Sequence, residues 1–434
     1  MNAKNKVDTF LKQYDMHYDS INMEECMQAF IKDMQAGLEG RTDSLLMIPT
    51  YIGTDGCVPI NEEIIVMDAG GTNFRVATVT FNAMKQPDIQ NYALYPMPGT
   101  KGTLSKQQFF ETVADYLMPV IHKSKKVGFC FSFPTEILPN HDGRLRGFNK
   151  EVSVEDMKNA LIGEGINNEL EKRGFEEKSF VVLNDTVATM LGGMMAFPER
   201  RFDSYIGFIL GTGTNTCYVE NNRNIVKSQE ALSTQGNMAI NLESGGYSNM
   251  PRGVFDEAFD ATTSNPGDHK FEKMISGAYL GKVVRLTVKQ AADDGLFSHG
   301  FEIKFEKHND MTMRNIDDFC FYPFGDNVLA ELVNEDDDDR LTLYYIIDAC
   351  FERAAKMVAV NLGAILVKTH IGTDPTRPVC VAAEGTTFYK SKLFKTKLDF
   401  YSKAFFNEKL GIYCEFVKAE NATLVGTAVA GLLN

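Results

Sequence analysis

Residues 63–81 read EIIVMDAGGTNFRVATVTF, and this stretch decides the fold. A short apolar run, Ile64–Met67, enters the turn Asp68-Ala69-Gly70-Gly71-Thr72-Asn73. A second run, Arg75–Phe81, is rich in β-branched residues, so the order strand, glycine turn, strand predicts a β-hairpin. The device returns further along: Tyr205–Leu210 leads into Gly211-Thr212-Gly213-Thr214-Asn215, followed by Thr216–Glu220. Gly-Thr-Asn holds matching places in both, so two lobes built alike are expected, although a shared tripeptide alone is weak support.

Between and around the hairpins, strands alternate with helical patterns. A helix is predicted over 105–122, a strand over 127–131, and a strand over 180–183 feeding a helix from Asp185. This alternation predicts an α/β fold with mixed, twisted sheets. The first 45 residues have a helical pattern, with Met23, Met27, Phe30, Ile31, Met34 and Leu38 at helix spacing and Gly40 as a stop. Residues 43–61 carry Pro49, Gly53, Gly56 and Pro59 and are expected to be an irregular connector. The acidic run 335–339 suits a solvated loop or helix start better than a metal site, because five adjacent carboxylates cannot face one ion. A helix follows over 341–367, and the small-residue segment TLVGTAVAGLL (423–433) predicts a closely packed terminal helix.

The chain has 434 residues, enough for two domains or one bilobal unit. Its net charge of −14 excludes general binding to nucleic acid or anionic membrane, both of which need a basic face. An anionic nucleotide is still admissible at a local site of backbone N–H groups and Mg²⁺. The eight cysteines form no C-x-x-C pair, which excludes the usual zinc and disulfide frameworks and leaves buried free thiols. No signal-peptide or membrane-span pattern occurs, so a cytoplasmic protein is expected.

Three segments can carry chemistry. In the first turn, Gly70 and Gly71 let backbone N–H groups approach a phosphate, Asp68 can hold Mg²⁺ through water, and Arg75 supplies charge; the alternative is a plain hairpin turn. The second turn adds the hydroxyls of Thr212 and Thr214, and the pair together suits a polyphosphate pinched between lobes. Leu183-Asn184-Asp185-Thr186 ends a strand and opens a helix, where an N-cap is the favoured reading and a general base the other. Glu243, Glu272 and Lys150 are anonymous in isolation.

Their joint order resembles the hexokinase family, the large eukaryote-type hexokinases of the actin-like ATPase superfamily. LMIPTYI (46–52), MDAGGTNFRV (67–76), FSFPTE (131–136), LNDTVATM (183–190), GTGTNTCYVE (211–220), FEKMISGAYLGKVVRL (271–286) and AAEGTTFYKS (382–391) follow the family's order over nearly the whole chain. The resemblance implies a two-lobed, ribonuclease H-like fold with an interlobe cleft. It implies a small lobe over 62–184 joined by a terminal helix over 422–434, and a large lobe over 185–421 joined by residues 1–61. It further implies ATP and Mg²⁺ as cofactors and a hexose as substrate, in a monomer or homodimer of single-catalytic-unit length. Asp185 would be the general base, with Lys150 assisting. Ser132, Asn149, Lys150, Asn184, Asn215, Glu243 and Glu272 would hold sugar hydroxyls. Asp68 would organise Mg²⁺, while Gly70, Gly71, Thr72, Asn73, Arg75, Thr212 and Gly213 would surround the phosphates. Gly385 and Thr386 would lie against adenosine. Three departures stand out: Asn149 replaces the family's Thr before the Lys, the family's Trp-containing loop after Glu243 becomes Ser244–Asn249, and Ala383-Glu384 replaces Val-Asp. The altered loop leaves a non-catalytic hexose sensor as the alternative.

Overall fold

The predicted hairpin forms as strands Ile64–Gly70 and Asn73–Phe81, paired from Ile64 opposite Val79 to Gly70 opposite Asn73. The computed structural model describes residues 2–41, 44–148, 152–308 and 310–434. Next to the hairpin, Lys126–Phe131 and Ser179–Leu183 add in parallel, and Pro87–Pro96 adds antiparallel on the far side. The result is a five-stranded mixed sheet. Strand Ile64–Gly70 is buried along nearly its whole length, as a strand covered on both faces must be. Pro87–Pro96 is an exposed edge strand whose polar, Pro-bounded sequence gave no strand pattern.

A second sheet repeats the plan. Tyr205–Leu210 pairs antiparallel with Thr214–Asn221, which pairs antiparallel with Asn237–Asn241. On its other side Val379–Glu384 and then Cys414–Val417 add in parallel. Each sheet therefore has two antiparallel pairings followed by two parallel ones, as expected of lobes built alike. The six-stranded sheet has one extra edge strand, Ile48–Gly53. That strand corrects the reading of 43–61 as irregular throughout. Pro49 is tolerated because the strand lies at the sheet edge and its register shifts between Pro49 and Gly53.

Three cores hold the fold. Helices Ala3–Gln13, Met23–Leu38 and Asp337–Thr369 cover one face of the six-stranded sheet. Helices Lys106–Leu117 and Ile162–Lys172 cover the outer face of the five-stranded sheet. The third core lies between the sheets and contains Asp185–Ala196 and Ala422–Leu433, whose apolar residues meet Ile64, Val66 and Leu183 on one side and Cys217 and Ala239 on the other. The terminal helix packs as its small residues predict. A Cβ on Gly426 would lie 1.8 Å from the Ala188 carbonyl oxygen, and one on Gly128 would lie 2.3 Å from that of Thr427. The two-lobed α/β fold is thus joined by helices with backbones in contact.

The acidic run becomes a helix start: Asp336 caps Asp337–Thr369, accepting from the N–H groups of Asp338 and Asp339, and the next carboxylates complement the helix dipole. The thiols are all free, and most are buried as expected, but Cys57 is exposed because it sits in the loop after the edge strand. No helix among the described residues is long and apolar enough to cross a membrane.

Candidate active site

Parallel strands deliver their C-terminal ends to one place, and loops leaving those ends converge. In the five-stranded sheet these ends carry Asp68, Ser132 and Asn184-Asp185; Ser132 N–H donates to the Ala69 carbonyl at 3.0 Å. In the six-stranded sheet they carry Gly211–Gly213 and Gly385-Thr386. A cavity of about 740 Å³ opens between the sheets, lined by Ser132, Asn184 and Asp185 from one and Gly213, Asn215 and Glu243 from the other.

At 183–186 the N-cap forms, and the neighbouring carboxylate is left on the cavity wall. Asn184 is the cap, its side-chain oxygen accepting from Thr186 N–H at 2.9 Å. Asp185, first in the helix, is left free to face the cavity, where its carboxylate accepts from the Thr186 hydroxyl at 3.2 Å. Burial, reinforced by the Glu243 charge, raises its pKa to about 6.

Opposite lies a ring of amides. Asn215 Nδ2 donates to Asn241 Oδ1 at 2.8 Å and to Glu243 Oε1 at 3.2 Å, and Asn241 Nδ2 donates to the same Glu243 oxygen at 2.7 Å. Glu243 itself is held with φ 57° and ψ 47°, a left-handed conformation uncommon for a residue with a Cβ and of the kind found at ligand sites. Burial raises its pKa, while Asn241 opposes the shift. The loop after it is well packed despite lacking Trp: Tyr247 is fully buried against Phe30 and Phe271. Asn241 escaped the sequence reading. Only the cross-strand register, which sets Cys217 opposite Asn241, brings it to Asn215.

Glu272 is half-buried against the second turn. One carboxylate oxygen accepts from Thr214 N–H at 2.9 Å and sits where a Cβ on Gly213 would be, 2.5 Å away. Burial raises its pKa. The second glycine turn is pinned from other sides too: Gly277 N–H and the Thr387 hydroxyl donate to the Gly211 carbonyl at 2.8 and 3.0 Å, and Ala278 N–H donates to Thr212 at 3.1 Å. Gly385 lies against this turn with φ 119°, and a Cβ there would be 2.1 Å from the Leu210 oxygen. Thr212 and Thr386 remain exposed.

The first turn is open. A Cβ on Gly70 would meet nothing within 4 Å, and Thr72 and Asn73 are exposed beyond Gly71. Asp68, 4% exposed, accepts from Arg75 at 2.6 Å; burial raises its pKa and Arg75 opposes the rise. The sequence reading missed two further groups. Cys130 is buried beside Asp68, and the carboxylate of Glu384 has its pKa raised by burial and by the charges of Asp185 and Asp68. Asn149 and Lys150 lie outside the described residues.

This geometry has relatives. Two sequence models, both described as hexokinase, match residues 6–195 and 205–433. Hexokinase-5 of Oryza sativa subsp. japonica is 31% identical over 80% of this chain and 72% of its own length. Hexokinase-1 of Homo sapiens is 28% identical over 90% of this chain, which spans only 45% of that protein. Among solved structures, a hexokinase from Schistosoma mansoni complexed with glucose superposes with a TM-score of 0.76 at 22% identity, over 100% of both chains. That likeness confirms the two-lobed α/β fold.

Proposed function

From the premise that the chain belongs to the hexokinase family, we propose that it is a catalytic hexokinase, transferring the terminal phosphoryl group of ATP to the 6-hydroxyl of a hexose. Glucose is the foremost substrate, with mannose or fructose also accepted, and the setting is the first step of glycolysis in the cytoplasm. One observation carries this reading: a buried carboxylate, Asp185, faces the cavity with its pKa tuned to about 6. A sugar alcohol is a poor nucleophile, and a base ionised just below neutral pH can accept its proton as the new P–O bond forms. A pure sensor has no need of such a group.

The remaining residues take roles around that step. Asn215, Asn241 and Glu243 form a hydrogen-bonded donor and acceptor surface suited to sugar hydroxyls, with Ser132 and Asn184 on the facing wall. Glu272 keeps its proposed contact to a sugar hydroxyl and also fixes Thr214, and so the second turn. Lys150 and Asn149 keep their proposed sugar and phosphate contacts. Gly70, Gly71, Thr72, Asn73, Arg75, Thr212 and Gly213 would surround the phosphates, and Gly385 and Thr386 the adenosine.

The residues present fit a Mg²⁺–nucleotide. Asp68 is a hard oxygen donor, and no trio of His, Cys, Asp or Glu among the described residues could cage an ion unaided. Mg²⁺ commonly takes one or two carboxylates plus phosphate oxygens and water. When bound, it would neutralise charge on the transferred group. We place the small lobe at 62–184 with 422–434, and the large lobe at 185–421 with 1–61. Their closure about points near Ile64 and Leu183 would expel water from Asp185 and limit wasteful ATP hydrolysis.

The test is a coupled assay of hexose 6-phosphate formation with Mg·ATP on glucose, mannose, fructose and N-acetylglucosamine. Turnover on at least one of these sugars is expected. Sugar-dependent thermal stabilisation without product from any of them would instead identify a hexose sensor.

A further inference from the structure

A line of buried polar side chains, unused by the transfer step, stands behind the wall formed by Asn215 and Glu243. Asn361 lies in the run Met357–Leu366 of helix Asp337–Thr369, where every residue is buried and it alone is polar. Its Nδ2 donates to the Thr216 hydroxyl at 2.7 Å, and the Thr216 and Ser244 hydroxyls share a hydrogen bond of 3.1 Å. All three residues are 0% exposed. Asn361 Oδ1 has no partner among the described residues, so keeping this amide in an apolar core is unfavourable. Apolar side chains of similar shape would fill the space with no polar atom left unpaired. Stability therefore does not account for the line, but its position does. Thr216 follows Asn215 and Ser244 follows Glu243, both of which line the cavity. The bond between the two hydroxyls ties strand Thr214–Asn221 to the turn Ser244–Gly246. From that frame the main-chain N–H groups of Thr216 and Ser244 both donate to Asn215 Oδ1, at 2.7 and 3.3 Å. With its oxygen held in this way, Asn215 turns its Nδ2 toward Asn241 and Glu243.

We propose that Asn361, Thr216 and Ser244 are positioning residues for the acceptor, acting as one hydrogen-bonded unit that sets the Asn215 amide and, through it, Glu243. This rests on the reading of the cavity as the hexose site. An Asn215 amide turned over would present an oxygen to Glu243 Oε1, two acceptors facing each other where a donor is needed. The line prevents this by fixing the two N–H groups that only the amide oxygen can accept from. The long helix Asp337–Thr369 thereby reaches the sugar wall through a buried polar contact. The unit acts on sugar affinity, separately from the proton transfer at Asp185.

The experiment is calorimetric binding of glucose, mannose, fructose and N-acetylglucosamine, with a denaturation curve for each protein. It compares the wild type with Thr216→Ser, Ser244→Ala and a triple variant carrying Thr216→Val, Ser244→Ala and Asn361→Leu. The triple variant removes every partner at once and strands no buried donor, so its denaturation midpoint is expected to match the wild type. Its dissociation constant for the tightest-binding sugar is expected to rise about tenfold, the order of one hydrogen bond lost. Ser244→Ala breaks one bond of the line and should raise it about threefold. Thr216→Ser keeps the hydroxyl but loses a buried methyl, so its midpoint should fall while its affinity stays within about twofold of the wild type. A purely structural role would make affinity follow stability instead. A folded triple variant that binds within about twofold of the wild type overturns the proposal, as does an equal loss of affinity in Thr216→Ser. Should the triple variant not fold, unchanged affinity in Ser244→Ala overturns it. Product formation by the wild type is followed in parallel. Binding without hexose 6-phosphate would sink the kinase reading while the affinities still decide the role of the buried line, and no binding of any of the four sugars would overturn both.

Discussion

The two glycine turns share the tripeptide Gly-Thr-Asn and leave corresponding strands of two sheets with the same pattern of pairings, yet they are packed differently: Met97 N–H holds the Thr72 carbonyl of the first at 3.0 Å, while the second is held from several sides. The first, at Gly70–Asn73, has free space on its glycine and exposed Thr72 and Asn73. The second, at Gly211–Asn215, is fixed by Glu272, Gly277, Ala278 and Thr387, with Gly385 pressed against it. On the proposed reading, the second turn is a preformed seat for phosphate and the first a movable clasp that arrives with its lobe. Similar sequence therefore meets different packing, and the difference comes from neighbours distant in the chain.

Substitutions at the glycines can break that comparison. The largest effect is expected at Gly385→Ala, where φ 119° and a Cβ 2.1 Å from Leu210 oxygen combine backbone strain with a clash against main chain. A loss of about 3 kcal/mol or more is expected, seen as a lower denaturation midpoint and a raised KM for ATP. Gly213→Ala meets a side-chain oxygen instead, so it should cost about 1–3 kcal/mol. Glu272→Gln keeps the bulk and should not relieve that cost, whereas Glu272→Ala should relieve part of it. Gly70→Ala should change stability by less than about 1 kcal/mol, leaving any effect to nucleotide affinity. If Gly70→Ala and Gly213→Ala destabilise equally, the contrast between a free and a fixed turn is wrong.

Asp185 sharpens the comparison, because it stands between the turns and makes the fold pay for function. Its pKa is about 6 in the folded protein and near 3.9 unfolded, so the folded state binds the proton more tightly. Stability from this group is present at low pH and is lost as pH rises from about 4 through 6. Asp185→Asn should then stabilise the protein above pH 7 by up to about 2 kcal/mol, measured by denaturation at pH 5 and pH 8. On the proposed reading, the same ionisation sets the activity profile. Glu243, Asp68, Glu384 and the thiols Cys130 and Cys217 all act on this carboxylate or stand close to it. The wild-type kcat/KM for sugar should fall about tenfold per pH unit below roughly pH 6 and level off above it. A profile flat down to pH 5 would remove Asp185 as the base.

Much of this was legible in the sequence where periodicity and turn chemistry agree. Both hairpins, the strand–helix junction at Asp185 and the small-residue terminal helix follow from local pattern. Ile48–Gly53 was not legible, because its prolines and glycines signal a loop and only the sheet edge makes room for them. Pro87–Pro96 lacks the apolar alternation that an exposed edge strand does not need. At the site, Asp68 and Asn215 stand in the two glycine turns and Glu243 came only from the family resemblance, whereas Asn241 depends on cross-strand register. The contact of Glu272 with the second turn, at Gly213 and Thr214, is a three-dimensional fact with no one-dimensional trace.

The central claim is that Asp185 removes the sugar proton. The most direct measurement is the turnover of Asp185→Asn on the preferred hexose with Mg·ATP, beside calorimetric sugar affinity and a denaturation curve. A fall in kcat of at least about 10²–10⁴-fold is predicted, with sugar binding kept and the fold intact or more stable. Turnover within a few-fold of the wild type would contradict the account.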